Sequence, residues 1–424
     1  MLTVIALILG WWAFTPELAG QVLPEVSPGA VGLTESGVRR LDSLLDANTA
    51  PGRYPALMLM VTWNGKVGYW KAAGARDLAT GERLDRNDLF RVYSITKPVT
   101  AVAILQLWEE GKLGLDDPVE RYLPALGRVG VFVAPGKTRP PRRPLTIRHL
   151  LTFSAGMTYG TLGERTVVDS ILAAAPLYNL ATSSADLVER LSALPLLGDP
   201  GDSVSYGYQT DVLGRVVEVV SGMTLDRYFQ ERIFGPLGMR ETGFFMSPAL
   251  LNRYPNLYAL GPGQVPQVAD RRDSTSDWIL PFGRRSWINF PSGGAGLVST
   301  PADYIRFVQM LANRGELGGV RLLRPGTVDT MAYGHAKGNA RTSGIFGPGW
   351  DHGFAVVRAA DIAAAGGGGS NRLFWMAGAA NLYWWVDPAS GIAAMIWAQA
   401  LPPNGALFNE FRRGVAAAVE ASAR

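Results

Sequence analysis

The chain of 424 residues has no cysteine, three histidines and six lysines. Without cysteine there is no disulfide, no thiolate nucleophile and no Cys-ligated metal. His149, His335 and His352 stand apart, and none has an H-E-x-x-H or similar ligand spacing, so no metal site is expected. Charge of one sign is also scarce. Forty basic and 36 acidic residues leave a net +4, and this surplus is spread along the chain. The densest basic run, "GKTRPPRRP" from Gly136 to Pro144, reads from its prolines as an exposed loop. Nucleic acid is therefore not an expected partner. Beyond the N-terminus no apolar run is long enough to cross a bilayer. Leu2 to Phe14 is apolar but short, lacks a preceding Lys or Arg, and is followed by the poor cleavage site "PELAGQ". It reads either as a signal core, giving a periplasmic or secreted protein with membrane contact only if the segment is retained as an anchor, or as an apolar segment packed on a cytoplasmic one. Oligomeric state is not legible.

What is present describes a folded protein: 47% hydrophobic, 18% charged and 10% aromatic residues, in a chain long enough for two domains. "TESGVRRLDSLLDA" has a helix start signal, with Val38, Leu41, Leu44 and Leu45 on one face. Two β-rich runs in "ALMLMVTWNGKVGYWKAAG" flank Asn64-Gly65, a hairpin signal. Near the C-terminus "NLYWWVDPASGIAAMIWAQ" reads as strand, turn and strand, followed by a final helix from about Phe408. Between these clusters helical patterns dominate, among them "VTAVAILQLWEEGK" with Ala101, Ile104, Leu105 and Trp108 on one stripe. "AAAGGGGSN", from Ala363 to Asn371, reads as a flexible loop. The expected fold is α/β (α+β), with an antiparallel sheet built from both ends of the chain, flanking helices and an inserted mainly helical domain. Residues 1–30 form an apolar segment and linker, 31–93 and 292–424 the sheet domain, and 94–291 the helical domain.

Of the six lysines only Lys97 has a serine three residues earlier, in "RVYSITKPVT". The spacing places Ser94 and Lys97 on one helix face, with Ser94 near the helix N-terminus and Pro98 in the first turn. Lys97 could act as a base only if burial or a neighbouring cation lowered its pKa from ~10.4. Taken alone, the pair favours a capping serine followed by a solvated lysine. Two other motifs fail. Gly130 and "GKT" at Gly136 to Thr138 have the wrong glycine spacing for a phosphate loop, and no serine lies in a G-x-S-x-G elbow.

Around "SITKPVT" the chain resembles the serine β-lactamase/penicillin-binding-protein superfamily, above all its class C-like branch and the family VIII carboxylesterases. The resemblance runs from about Leu33 to the C-terminus, through "LTIRHLLTFSAGM", "IFGPLGMRETGF" and "GGAGLVSTPADYIRFVQMLANRGELGGVRLLRPGTVDTM". It implies that Ser94 is the nucleophile and Lys97 its partner. The second motif of that family, a tyrosine followed by D-V-L-G, falls on Tyr206 in "YGYQTDVLG". Gly207 replaces the usual serine, and Tyr208 stands at the Asn position, with Tyr208 itself as a competing phenol. The third motif, led by lysine in lactamases, falls on Met376-Ala377-Gly378, with Ala379 following. Met376 cannot bind a carboxylate, whereas the backbone N–H of Ala379 can still join that of Ser94 in an oxyanion hole.

The resemblance implies a cofactor-free serine hydrolase acting on a small-molecule ester or amide, with Ser94, Lys97 and Tyr206 catalytic and Tyr208, Met376, Ala377 and Gly378 lining the substrate site. Loss of the lysine-led motif favours small, uncharged esters. A β-lactamase or D-amino-acid peptidase, and an inactive homologue that binds a ligand or partner in the cleft, are the alternatives. The tryptophans of "NLYWWV" could wall the cleft or fill a strand core.

Overall fold

The computed structural model describes residues 23–160, 166–177, 182–244, 247–261, 265–270, 291–333 and 347–419. The apolar run from Leu2 to Phe14 lies outside them. Among the described residues no helix is long and apolar enough to cross a membrane.

Asn64 and Gly65 both have positive φ, 48° and 79°, and turn the chain between β1 (Ala56–Trp63) and β2 (Lys66–Asp77). This is the backbone twist that an Asn-Gly hairpin supplies. A short β3 (Glu82–Arg83) pairs with β2. From the other end of the chain come β4 (Trp350–His352), β5 (Val357–Ala359), β6 (Phe374–Gly378), β7 (Leu382–Asp387) and β8 (Ile392–Trp397). The two ends meet where β8 pairs with β1, Met58 opposite Trp397 and Trp63 opposite Ile392. The result is one eight-stranded antiparallel sheet in the order β4-β5-β6-β7-β8-β1-β2-β3.

Five helices bear on the site: α1 (Glu35–Asn48), α2 (Thr96–Glu109), α3 (Gln209–Ser221), α4 (Pro301–Ala312) and α5 (Gly405–Ala418). The last begins three residues before the expected Phe408, with Asn404 as its cap. Helices α1 and α5 cover one face of the sheet, where they bury Leu57, Leu59, Tyr383, Trp385 and Ile396. On the other face Met58, Met60, Met376, Trp384, Met395 and Trp397 join the core that contains α2, α3 and α4. Burial on both faces explains why "LYWWV" and "IAAMIW" lack the alternation of a half-exposed strand. The tryptophans of "NLYWWV" are therefore core residues, at 0% and 2% exposure for Trp384 and Trp385, and do not wall a cleft.

Three expectations need correction. Helix α2 does not present one apolar stripe: every residue from Thr96 to Leu107 is buried. "KPVTAVAILQL" is apolar nearly all round, as befits a helix enclosed on all sides. The basic tract is partly a hairpin, Val131–Ala134 with Lys137–Arg139, and its three arginines are paired locally. Arg139 and Arg142 pair with Asp199, and Arg143 with Asp202, at 2.6, 3.2 and 2.5 Å. The glycine tract is tied down. The buried Arg412 guanidinium of α5 donates to the carbonyls of Ala365 (2.8 Å), Gly367 and Gly368 (3.2 Å), and it lies against the rings of Trp350 and Phe408.

Replacing Arg412 with Ala would strand three carbonyls and leave a void beneath two aromatic rings. A loss of about 3 kcal/mol in urea unfolding is expected, against less than about 0.5 for the exposed neighbour Arg413→Ala.

Candidate active site

The chain enters the site through a short strand, Phe90–Arg91, paired with Val298–Ser299. Tyr93 then takes a left-handed conformation, φ 49°, which L-residues adopt only under constraint. The constraint is visible in the bonds on either side. Val92 N–H donates to Leu297 O at 3.0 Å, and the Tyr304 hydroxyl of α4 donates to Ile95 O at 2.5 Å. This bend carries Ser94 on a 3-10 turn, Tyr93–Ile95, directly ahead of α2. Pro98 fits the first turn of α2 because N–H groups there have no intrahelical acceptor. Ser94 does not cap the helix; its hydroxyl faces Lys97 and Tyr206.

Lys97 is 0% exposed. Its Nζ lies 3.1 Å from Ser94 Oγ, 3.0 Å from Tyr159 Oη and 2.7 Å from Gly294 O. A neutral amine has two N–H donors and one lone pair. The Gly294 carbonyl can only accept, and Tyr159 is held neutral because burial raises its pKa well above the ordinary value. One N–H is spent on Gly294 O, while the neutral Tyr159 and Ser94 hydroxyls can each donate or accept and share the other N–H and the lone pair. Burial lowers the Lys97 pKa to about 7, while the carboxyl of Asp211 pulls the other way. Desolvation thus moves the amine in the direction that the sequence could only require.

Tyr206 is the phenol at Ser94. Its hydroxyl is hydrogen-bonded to Ser94, and its ring centroid is 4.6 Å from Lys97 Nζ. Burial pushes its pKa upward, so it keeps its proton at neutral pH. Tyr208 lies deeper, at 5% exposure, with its ring edge-on to Tyr159 at 4.7 Å. Gly207 between them has a steric role. A Cβ there would stand 2.5 Å from the backbone of Thr158. Glycine lets this segment approach residues 153–159, to which it is joined by Ser205 N–H to Phe153 O (2.7 Å) and Tyr159 N–H to Tyr206 O (3.3 Å). That approach delivers Tyr159, which the sequence reading missed. It lies two residues beyond the quoted "LTIRHLLTFSAGM" and 62 residues from Lys97.

Of the third-motif positions, Met376 is 1% exposed on the sheet face that packs toward α2, so its side chain belongs to the core. Ala377 points to the opposite face, toward α1 and α5. Gly378 abuts the turn before the nucleophile, where a Cβ would be 2.5 Å from Val92 O. Ala379, partly exposed, is the first residue past the end of β6. The strand thus reaches the nucleophile turn through its backbone, without a charged side chain.

A family model described as Beta-lactamase matches residues 41–418, so the chain belongs to that family. Within it the protein is a serine hydrolase with the β-lactamase/penicillin-binding-protein fold. It is 33% identical over 341 residues to "Uncharacterized protein MT1414" of Mycobacterium tuberculosis, covering 78% of this chain and 82% of that one. It is 30% identical over 373 residues to "Esterase EstB" of Burkholderia gladioli, covering 84% and 89%. Among solved structures, "EstCE1, a hydrolase with promiscuous acyltransferase activity" superposes with a TM-score of 0.76 at 26% identity, covering 90% of this chain and 99% of that one.

The depressed Lys97 pKa has a consequence for stability. Between pH 7 and its unfolded value of ~10.4 the folded chain binds fewer protons at this site than the unfolded chain, so stability rises with pH across that window. From pH 7 to 9 the wild type should gain about 2 kcal/mol more than Lys97→Met in urea unfolding. Equal pH dependence in the two proteins would contradict a lowered pKa.

Proposed function

We propose that this hydrolase cleaves small, uncharged carboxylic esters through an acyl-serine intermediate on Ser94. One observation carries the reading: the buried Lys97 Nζ, its pKa lowered by desolvation to about 7, is held 3.1 Å from Ser94 Oγ by contacts to Tyr159 Oη and Gly294 O. As Ser94 Oγ attacks the ester carbonyl, Lys97 takes its proton, and the Ser94 and Ala379 backbone N–H groups receive the developing oxyanion. Tyr206, hydrogen-bonded to Ser94 and protonated at neutral pH, donates to the departing alkoxide. Water then attacks the acyl-serine with the proton transfers reversed, releasing the acid and restoring Ser94.

Selectivity follows from what the β6 strand lacks. Phe374–Gly378 carries no cation, and Met376 is buried where a lactamase of this family has its lysine. A substrate carboxylate gains no ion pair there, which disfavours β-lactams and peptidoglycan-like peptides relative to neutral esters. The esterase name of the Burkholderia gladioli relative supports the same reading.

The test is a p-nitrophenyl butyrate assay beside a chromogenic cephalosporin and a fluorophosphonate probe. Wild type should turn over the ester, label with the probe and leave the cephalosporin nearly untouched. Ser94→Ala should lose labelling and at least ~10³-fold of ester turnover, and Tyr206→Phe about 10²-fold. Labelling that survives in Ser94→Ala would sink the mechanism. Fast cephalosporin turnover would point to a lactamase, and an unlabelled, inactive wild type to a binding protein.

A further inference from the structure

The acyl-serine mechanism leaves one buried group unused. Asp211, in the first turn of α3, is 2% exposed, and burial raises its pKa. Its Oδ1 accepts from the Ser292 hydroxyl at 2.5 Å and from Gly294 N–H at 3.1 Å. Its Oδ2 has no hydrogen-bond partner among the described residues. The turn that it grips is the one whose Gly294 carbonyl holds Lys97 Nζ at 2.7 Å. Thr100 of α2 fastens the same turn by donating to Gly293 O at 2.7 Å. A Cβ on Gly294 would lie 2.5 Å from Asp211 Oδ2 and 3.0 Å from Tyr159 Oη, so only a bare glycine leaves the carboxylate facing the lysine site. The ionisable groups that interact with it among the described residues are Lys97 on α2, Tyr159 on the segment after residue 153, and Tyr206 ahead of α3. Of these only Lys97 can carry positive charge.

Two acceptor bonds alone do not call for an acid, since an asparagine oxygen could accept both. A buried carboxylate oxygen without a donor is costly unless it offsets a charge nearby. Such a charge arises once per cycle, when Lys97 takes the serine proton and becomes an ammonium in a site closed to water. We infer that Asp211 is a positioning residue for the reaction proposed above: through the Ser292–Gly294 turn it aims the Lys97 amine at Ser94, and through its charge it balances the ammonium. This role rests on the acyl-serine reading and adds a residue to it.

The test is the rate of Ser94 phosphonylation by an alkyl fluorophosphonate between pH 5 and 9. Wild type should show a rise with a midpoint near pH 7, as Lys97 loses its proton. Asp211→Asn removes the charge that favours the ammonium, so its midpoint should fall by about one pH unit and its plateau rate by at least ~10-fold. Ser292→Ala keeps the carboxyl but weakens its ionised form, and should shift the midpoint in the same direction by less. This second variant decides the matter if Asp211→Asn does not fold. A purely structural role would lower thermal stability and leave the midpoint in place. Folded variants with a wild-type midpoint would therefore overturn the inference while the acyl-serine reading stands. No labelling of wild-type Ser94 would overturn that reading and this role with it.

Discussion

The site depends on one desolvated amine. A lysine in water holds its proton to ~10.4 and cannot take one from serine at neutral pH. Here the amine is closed off by the rings of Tyr159 and Tyr206, by the body of α2 and by the turn at Gly294. Exclusion of water destabilises the ammonium, and the oxygens around Nζ satisfy the neutral form. Such a site is expensive to fold. The apolar sheet with helical layers on both faces offsets that cost, and α2, which carries Lys97, is buried within the larger of its two cores.

Much of this architecture could be read from local chemistry. Asn64-Gly65 set the hairpin, Thr34 starts helix α1, and the i,i+3 spacing of Ser94 and Lys97 carried through to a 3.1 Å contact. What escaped the sequence depends on residues brought together from far apart. Tyr159 reaches Lys97 only because Gly207 lets two segments touch, and a glycine in that position has no local signature. The tract "GKTRPPRRP" is exposed as its prolines suggested, but the ion pairs of its arginines were not legible because their partners, Asp199 and Asp202, lie about sixty residues away. The glycine tract looked free because the arginine that fastens it belongs to α5. The "NLYWWV" tryptophans could wall a cleft or fill a strand core, and only the pairing of β6, β7 and β8 decides for the core.

The choice between Tyr206 and Tyr208 shows the same limit. Sequence spacing offered two phenols two residues apart, and only the path of the chain decides which one reaches Ser94. Tyr206 does so, while Tyr208 braces Tyr159 from behind. The three tyrosines divide the work of the pocket. One shares a hydrogen bond with the serine, one orients the lysine, and one holds the second in place. The strand Phe374–Gly378 brings no charged side chain, and the cation within hydrogen-bond reach of Ser94 is Lys97, whose charge burial disfavours.

That suppression can be measured directly. The chain has six lysines, few enough for each side-chain nitrogen to be followed by ¹⁵N NMR during a pH titration. The account predicts one resonance, absent in Lys97→Met, that titrates near pH 7. Six lysines all titrating near the ordinary value would contradict it, because Lys97 would then carry its proton at neutral pH and could not serve as the base.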